Sequence, residues 1–263
     1  MAEKDNLQSQ RFELKFHINE AIARGVRDFA ASYLVADEFN DPANNNAYPV
    51  NSLYVDSPAL NLFRATVKGE KNRYKLRIRF YDEEPDSPVF FEIKQRKNDV
   101  ILKQRAAVYR DSVMPILTGH VPRREDLLKP SDAKSLYALQ RFCQLKDELK
   151  ADGQAFVSYM REAYVAPDSN DVRLTFDRNL VARPYLKSII MPSDEYAIRP
   201  KVPTVVLELK FTDRFPNWMH ELVSVFNLRR ESMPKYVECL QSLRTGDPAR
   251  SAAMMNMLRS ELQ

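Results

Sequence analysis

With 263 residues, 44% of them hydrophobic and 29% charged, the chain can bury a substantial core and is unlike a disordered sequence. Its formal charge is only +4, no apolar run approaches the ~18 residues of a membrane span, and the polar opening Met1–Asn6 lacks the apolar centre of a signal peptide. Two cysteines, Cys143 and Cys239, lie far apart in helix-like segments, which argues against a disulfide framework and for reduced core thiols in a cytoplasmic protein.

Taken in chain order, a first strand over Arg11–Ile18 runs into a helix from Asn19, a natural N-cap, to Leu34. An Asn- and Pro-rich loop leads to a strand at Val50–Asp56, and Pro58–Lys68 reads as a short helix closed by Gly69. Strands follow at Arg73–Tyr81, Val89–Arg96 and Val100–Tyr109, the last two joined through Lys97-Asn98-Asp99 as a hairpin. Ser112–Ala151 is helical, with Leu136, Leu139, Phe142, Cys143 and Leu149 at helical spacing. Strands resume at Ala155–Tyr164, Val172–Asp177 and Thr204–Phe211, and helices close the chain at Pro216–Phe226, Pro234–Leu243 and 247–263. Neither a repeat nor a Pro/Gly/Ser linker divides the chain, so the expectation is one domain over 1–263 with its core at about 11–243.

The strands carry the functional signal. Side chains alternate between the two faces of a strand, so Arg73, Lys75, Arg77 and Arg79 share one side while Leu76, Ile78 and Phe80 share the other. The same alternation places Glu13 and Lys15, Glu92, Lys94 and Arg96, Lys103 and Arg105, Arg161, Arg173 and Asp177, and Glu208 and Lys210 on polar faces. Those faces, with Asp56, hold twelve Lys/Arg against five acids, a larger excess than the whole chain carries, so the remainder is net negative. The basicity is placed, not general.

Several helices need an apolar surface to pack on. A closed eight-stranded antiparallel barrel with helices outside, an α+β fold, meets that need by turning the apolar faces outward and the charged faces inward. An interior of a dozen cations suits a long polyanion, because Arg offers a planar fork to phosphate and Lys a mobile point charge. The carboxylates Glu13, Glu92 and Glu208 cannot attract anions; they pair with neighbouring cations, or one or two of them hold a divalent metal bridging phosphate oxygens.

Other chemistries are poorly served. His17, His120 and His220 are scattered with no Cys or His at ligand spacing, which speaks against zinc. There is no P-loop pattern, and five glycines argue against any glycine-rich phosphate cradle. Phe90, Phe91 and Trp218 are expected in the core, and the cations are not interleaved with aromatics on one face as single-stranded nucleic acid would require, so no nucleic-acid partner is expected.

At several of these blocks the chain resembles a known family. Arg11-Phe12-Glu13-Leu14-Lys15-Phe16, Tyr48–Asp56, Lys75–Arg79, Phe91–Lys94, Val172–Asp177 and Val206–Phe211 are similar, in order, to the VTC (vacuolar transporter chaperone) catalytic domain. That family comprises polyphosphate polymerases within the triphosphate tunnel metalloenzyme, or CYTH, superfamily. The resemblance implies a tunnel that binds ATP and inorganic polyphosphate with Mg²⁺ or Mn²⁺. It implies transfer of the γ-phosphate of ATP to a growing chain. Carried over by position, it implies phosphate contacts from Lys15, Arg77, Arg79, Lys94, Lys103, Arg161, Arg173 and Lys235, with Tyr159 beside Arg161 and a metal on Glu208. Arg105 and Lys210 join the phosphate ligands as members of the same faces, and Arg77, Arg79, Lys94, Arg173 and Lys235 are the residues expected to act on the transferring group. One departure stands out: the family has Ser-Lys-Tyr where this chain has Pro234-Lys235-Tyr236, leaving Ser232 as the nearby substitute. The regulatory SPX domain and membrane helices of the eukaryotic subunits are not among these residues, so regulation and translocation do not carry over, while a membrane-protein partner is left open. Alternatives on the same fold are a tripolyphosphatase or nucleoside triphosphatase and a non-catalytic polyanion-binding module.

Overall fold

A computed structural model describes residues 11–98, 100–169, 171–187, 194–200 and 205–245, with Arg11 and Glu195 as backbone only. The expected C-terminal helix at 247–263 and the first residue of the Thr204–Phe211 strand lie outside the described residues.

The elements are β1 (Arg11–Ile18), α1 (Glu20–Ala30), β2 (Val35–Ala36), β3 (Tyr48–Asp56), α2 (Asn61–Val67), β4 (Asn72–Phe80), β5 (Val89–Lys97), β6 (Val100–Val108), α3 (Arg110–Leu117), α4 (Ala133–Glu148), β7 (Asp152–Val165), β8 (Val172–Pro184), β9 (Val205–Thr212), α5 (Asn217–Val225) and α6 (Lys235–Thr245). Among the described residues no helix is long and apolar enough to cross a membrane. Asn19 does cap α1, its side chain accepting from the Ile22 amide at 2.9 Å, and Gly69 turns the chain after α2 at φ 68°. α2 begins at Asn61 and not Pro58, because Leu60 takes a left-handed φ of 57° before it. β8 runs on to Pro184, past a left-handed Asn179 at φ 53° that the alternation pattern alone does not foresee.

Hydrogen-bonded neighbours follow the order β1-β9-β8-β7-β3-β4-β5-β6, with β2 added on β7. The ladders β1–β9, β8–β9, β3–β4, β4–β5 and β5–β6 are all antiparallel. This is the expected mixed fold of an antiparallel sheet and packed helices. It differs in that the sheet is not closed by hydrogen bonds among the described residues, β1 and β6 remaining its ends. β6 carries exposed Lys103 and Arg105, and charged side chains on an end strand oppose further pairing.

The chain divides into two compact units, one within Met1–Tyr48, Arg161–Arg178 and Pro203–Ser232, the other within Pro49–Met160, Asn179–Val202 and Met233–Gln263. In the second, the apolar faces of β4 to β6 (Leu76, Ile78, Phe80, Phe91, Ile93, Ala106, Val108) pack on Val113 and Ile116 of α3 and Leu139, Phe142 and Leu145 of α4. Leu76, Ile78 and Phe80 are all 0% exposed, so the apolar side of the strongest alternating strand is sealed by helices. In the first unit, Phe16 and Ile18 of β1, Leu174 and Phe176 of β8, and Leu207 and Leu209 of β9 pack with Ala23, Val26 and Ala30 of α1 and Met219 and Leu222 of α5. Both units therefore use their helices as the alternation requires. Glycine matters at two close approaches: a Cβ on Gly153 would stand 2.4 Å from the Tyr185 ring, and one on Gly25 2.6 Å from the Phe226 ring.

Candidate functional site

In the Pro49–Met160 unit, register sets the charged side chains in rows across the strands. Tyr54 of β3 faces Arg77 of β4, which faces Glu92 of β5, which faces Arg105 of β6. The next row is Lys75, Lys94 and Lys103, three lysines abreast, and beyond it Arg73 faces Arg96. Like charges directly opposite one another repel, so such a row concentrates positive potential on this face.

One carboxylate holds this face together. Glu92 is 0% exposed and binds Arg77 Nε at 2.6 Å, Lys103 Nζ at 2.8 Å and Arg105 Nε at 3.3 Å. Burial alone would raise its pKa, but Arg77, Arg79 and Lys103 hold it well below the usual carboxylate range. Glu92, expected among the metal ligands, has its oxygens engaged by these cations, as Glu208 does in the other unit. Lys103, though its side chain is partly exposed, has its ammonium drawn into the cluster: partial desolvation, only partly offset by Glu92 and reinforced by Arg77 and Arg105, lowers its pKa to about 8. Arg79, nearly buried, donates to Ser52 Oγ at 3.2 Å and to Tyr159 Oη at 3.5 Å.

Lys235 opens α6, buried with its ammonium 4.9 Å from the centre of the Tyr159 ring. Its neighbour Tyr236 anchors that turn, stacking on Tyr54 at 4.6 Å and donating to the fully buried Asp56 at 3.0 Å. Asp56 also accepts from the Ser57, Leu62 and Phe63 amides at 2.7 to 3.0 Å, so one carboxylate caps α2 and fixes the start of α6. Tyr54 lies among cations: burial raises its pKa, yet Arg77, Arg79 and Lys235 bring it below the ordinary phenol value. Ser232, the suggested stand-in for the family serine, is exposed.

The Met1–Tyr48 unit has its own cluster. Lys15 Nζ bridges Glu208 at 2.8 Å and Glu13 at 3.1 Å. Glu208, 3% exposed, also meets Lys210 at 2.8 Å and Arg161 at 3.4 Å. Asp177 grips Arg161 with two contacts of 2.7 Å, the fork geometry that fixes a guanidinium in one plane. Arg173 faces Lys210 in register and is held by Asp37 at 2.9 Å and Tyr48 Oη at 3.1 Å. Burial is the largest influence on both lysines: Glu208 and Glu13 more than offset it for Lys15, whose pKa rises, whereas for Lys210 burial prevails over Glu208 and the pKa falls.

The sites expected from sequence thus fall into two groups: Lys15, Arg161, Arg173, Lys210, Glu13 and Glu208 in one unit, and Arg77, Arg79, Lys94, Lys103, Arg105, Glu92, Tyr159 and Lys235 in the other. Sequence reasoning missed Asp37, Tyr48, Tyr54 and Tyr236, whose partners are distant in the chain. It also misplaced Phe90, which is partly exposed on the charged face under Arg105, 3.4 Å from ring centre to guanidinium carbon. Of the adjacent pair, Phe91 alone is in the core, because neighbours on a strand face opposite ways. Among the described residues no three His, Cys, Asp or Glu side chains gather as a metal cage.

An antiparallel sheet with helices on its apolar faces and buried, cation-rich ion pairs on its charged faces defines an α+β protein with two basic sheet clusters. The chain belongs to the VTC domain family: that domain matches residues 10–244. No curated protein matches the chain. Similar solved structures include a Pyrococcus horikoshii protein (TM-score 0.46, 13% identity, 88% of this chain and 98% of that one). Candidate adenylate cyclases from Bacillus halodurans (0.46, 11%, 85% and 93%) and Vibrio parahaemolyticus (0.42, 12%, 87% and 97%) are alike to a similar degree. Likenesses of this size carry no argument about what the chain does.

Proposed function

We propose that this protein is an ATP-dependent polyphosphate polymerase, which moves the γ-phosphate of ATP to the end of an inorganic polyphosphate chain and releases ADP. The observation that carries the reading is the row Lys75, Lys94 and Lys103 beside the Arg77–Glu92 pair. These cations lie side by side on strands whose apolar side is sealed, an arrangement suited to successive phosphates of a chain.

The attacking group is the terminal phosphate of the acceptor chain, ionised at neutral pH, so no strong general base is required. Catalysis is then positioning and charge stabilisation. Arg77 and Arg79, oriented by Glu92 and by Ser52 and Tyr159, present fixed donors to the transferring group. Lys94 and Lys103 neutralise the chain, and Lys235 adds a cation held in place through Tyr236. In the other unit Lys15, Arg161, Arg173 and Lys210 bind further phosphates, with Asp177, Asp37 and Tyr48 fixing the two guanidiniums.

A divalent metal suits Glu208 and Glu13. Their hard oxygens match Mg²⁺ or Mn²⁺, and the ammonium of Lys15 already bridges the two, marking a position where a cation is shared. When bound there, the metal supplies charge neutralisation to phosphate oxygens. Glu92 is assigned to orienting cations instead. Free Cys143 and Cys239, with pKa values raised by burial to about 11 and about 12, accord with a reducing, cytoplasmic setting.

Purified protein incubated with ATP and Mn²⁺ is expected to yield ADP and an acid-labile polymer on a polyphosphate-stained gel. Orthophosphate without polymer, with or without a pyrophosphate primer, would replace this reading with the hydrolase on the same fold. Binding of polyphosphate with no turnover of any kind would leave a polyanion-binding module.

A further inference from the structure

The charged face of β4 to β6 changes character along the strands. One end is purely cationic, with Arg73 opposite Arg96 and the three lysines in the next row. The other end is aromatic. Phe90 sits opposite Arg79, Tyr81 follows β4 directly, and their rings meet edge to face at 5.9 Å.

At the boundary Arg105 is held in an unusual way. Its guanidinium carbon lies 3.4 Å from the centre of the Phe90 ring, a stacking distance. Nη2 donates to Tyr81 Oη at 3.4 Å and Nε pairs with Glu92 at 3.3 Å. Three partners thus fix the plane of a side chain that is otherwise among the most flexible. Its side chain remains 36% exposed, so the face turned away from Phe90 is accessible. A lone phosphate ligand has no need of an aromatic seat; an Arg flattened on a ring, with its outer face open, is what a planar heterocycle stacks on.

We propose that Arg105, seated on Phe90 and steadied by Tyr81, is the stacking platform for the purine base of ATP, which deepens the polymerase reading and rests on it. The spacing agrees. Successive rows on one face of a strand are ~7 Å apart, so a base at the Phe90 end places its triphosphate past Arg79 and Arg77 toward the lysine row. The growing chain then lies over the cationic end, away from the aromatic one. Arg105, expected from sequence to bind phosphate, becomes a residue that selects nucleotide over bare tripolyphosphate.

The test is calorimetric titration, in Mg²⁺, of the whole protein with the β,γ-imido analogue of ATP, with base-free ribose 5-triphosphate and with tripolyphosphate. In the native protein the ATP analogue is expected to bind about ten-fold more tightly than ribose triphosphate, the scale of one stacked base. Phe90→Leu, which keeps an apolar side chain but removes the aromatic face, should lower affinity for the ATP analogue about ten-fold and leave tripolyphosphate affinity unaltered. Equal affinity for the base-bearing and base-free triphosphates in the native protein overturns the platform, and that comparison needs no variant to fold. Loss of both affinities together in a folded Phe90→Leu protein overturns it too. If neither triphosphate binds the native protein, the polymerase reading falls and this inference with it.

Discussion

Glu92→Gln separates a charge-organising carboxylate from an incidental one. The substitution preserves shape and removes a negative charge from a fully buried position in contact with Arg77, Lys103 and Arg105. Arg77 cannot escape by losing its proton, and its side chain is only 15% exposed, so it becomes an uncompensated buried charge. Breaking such a pair costs about 3–5 kcal/mol. Lys103 and Arg105 are partly solvated and add little, and Lys103 can release its proton to soften the loss. At 2–4 °C per kcal/mol for a chain of this size, Tm should fall by about 6–20 °C. Tripolyphosphate restores negative charge to the same face and should raise the Tm of the variant by more than it raises that of the native protein. The assay is thermal unfolding followed by circular dichroism, with and without tripolyphosphate. A ligand-free fall of less than about 2 °C, or equal ligand shifts in both proteins, would refute the view that Glu92 balances the charges of Arg77, Lys103 and Arg105.

Other perturbations follow from the same geometry. Lys103, with a pKa lowered to about 8 against 10.5 for a free lysine, loses its charge as pH rises through 8, so tripolyphosphate affinity measured by titration should weaken between pH 7 and 9 in the native protein but not in Lys103→Ala. The sign for stability is opposite: between those two values the unfolded chain binds more protons at this site, so ligand-free stability gains from Lys103 as pH rises from 8 to 10.5, a contribution absent in Lys103→Ala denaturation curves. Tyr236→Phe removes the donor to buried Asp56 and should cost about 1–3 kcal/mol in urea unfolding, while loosening Lys235 enough to lower kcat about ten-fold; an unchanged kcat would detach Tyr236 from the site. Phe142→Ala, at the centre of the helix face that seals β4 to β6, should cost about 3–5 kcal/mol, read from the denaturant midpoint.

Much of this arrangement is legible in the strands because alternation is a local property. Arg77 and Ile78 must face opposite ways whatever surrounds them, and the structure puts one in the charged row and the other at 0% exposure. Parity does not say which side chain will close on which. Asp56 has the parity of the charged face, yet it turns to cap α2 and hold Tyr236, a partner 180 residues away. Arg173 finds Asp37 and Tyr48 only because the fold brings a loop and a strand start beside it. Phe90 was misread since two adjacent phenylalanines look like core until register gives them separate faces. The left-handed residues Leu60 and Asn179, which shift α2 and extend β8, carry no glycine to announce them.

Crystals grown with tripolyphosphate and a divalent cation test most directly whether the charged strand faces are the phosphate site. The account predicts phosphate density against Arg77, Lys94 and Lys103 in one unit or Lys15, Arg173 and Lys210 in the other. Well-ordered density confined to outward-facing side chains of the helices, with both strand clusters bare, would contradict it.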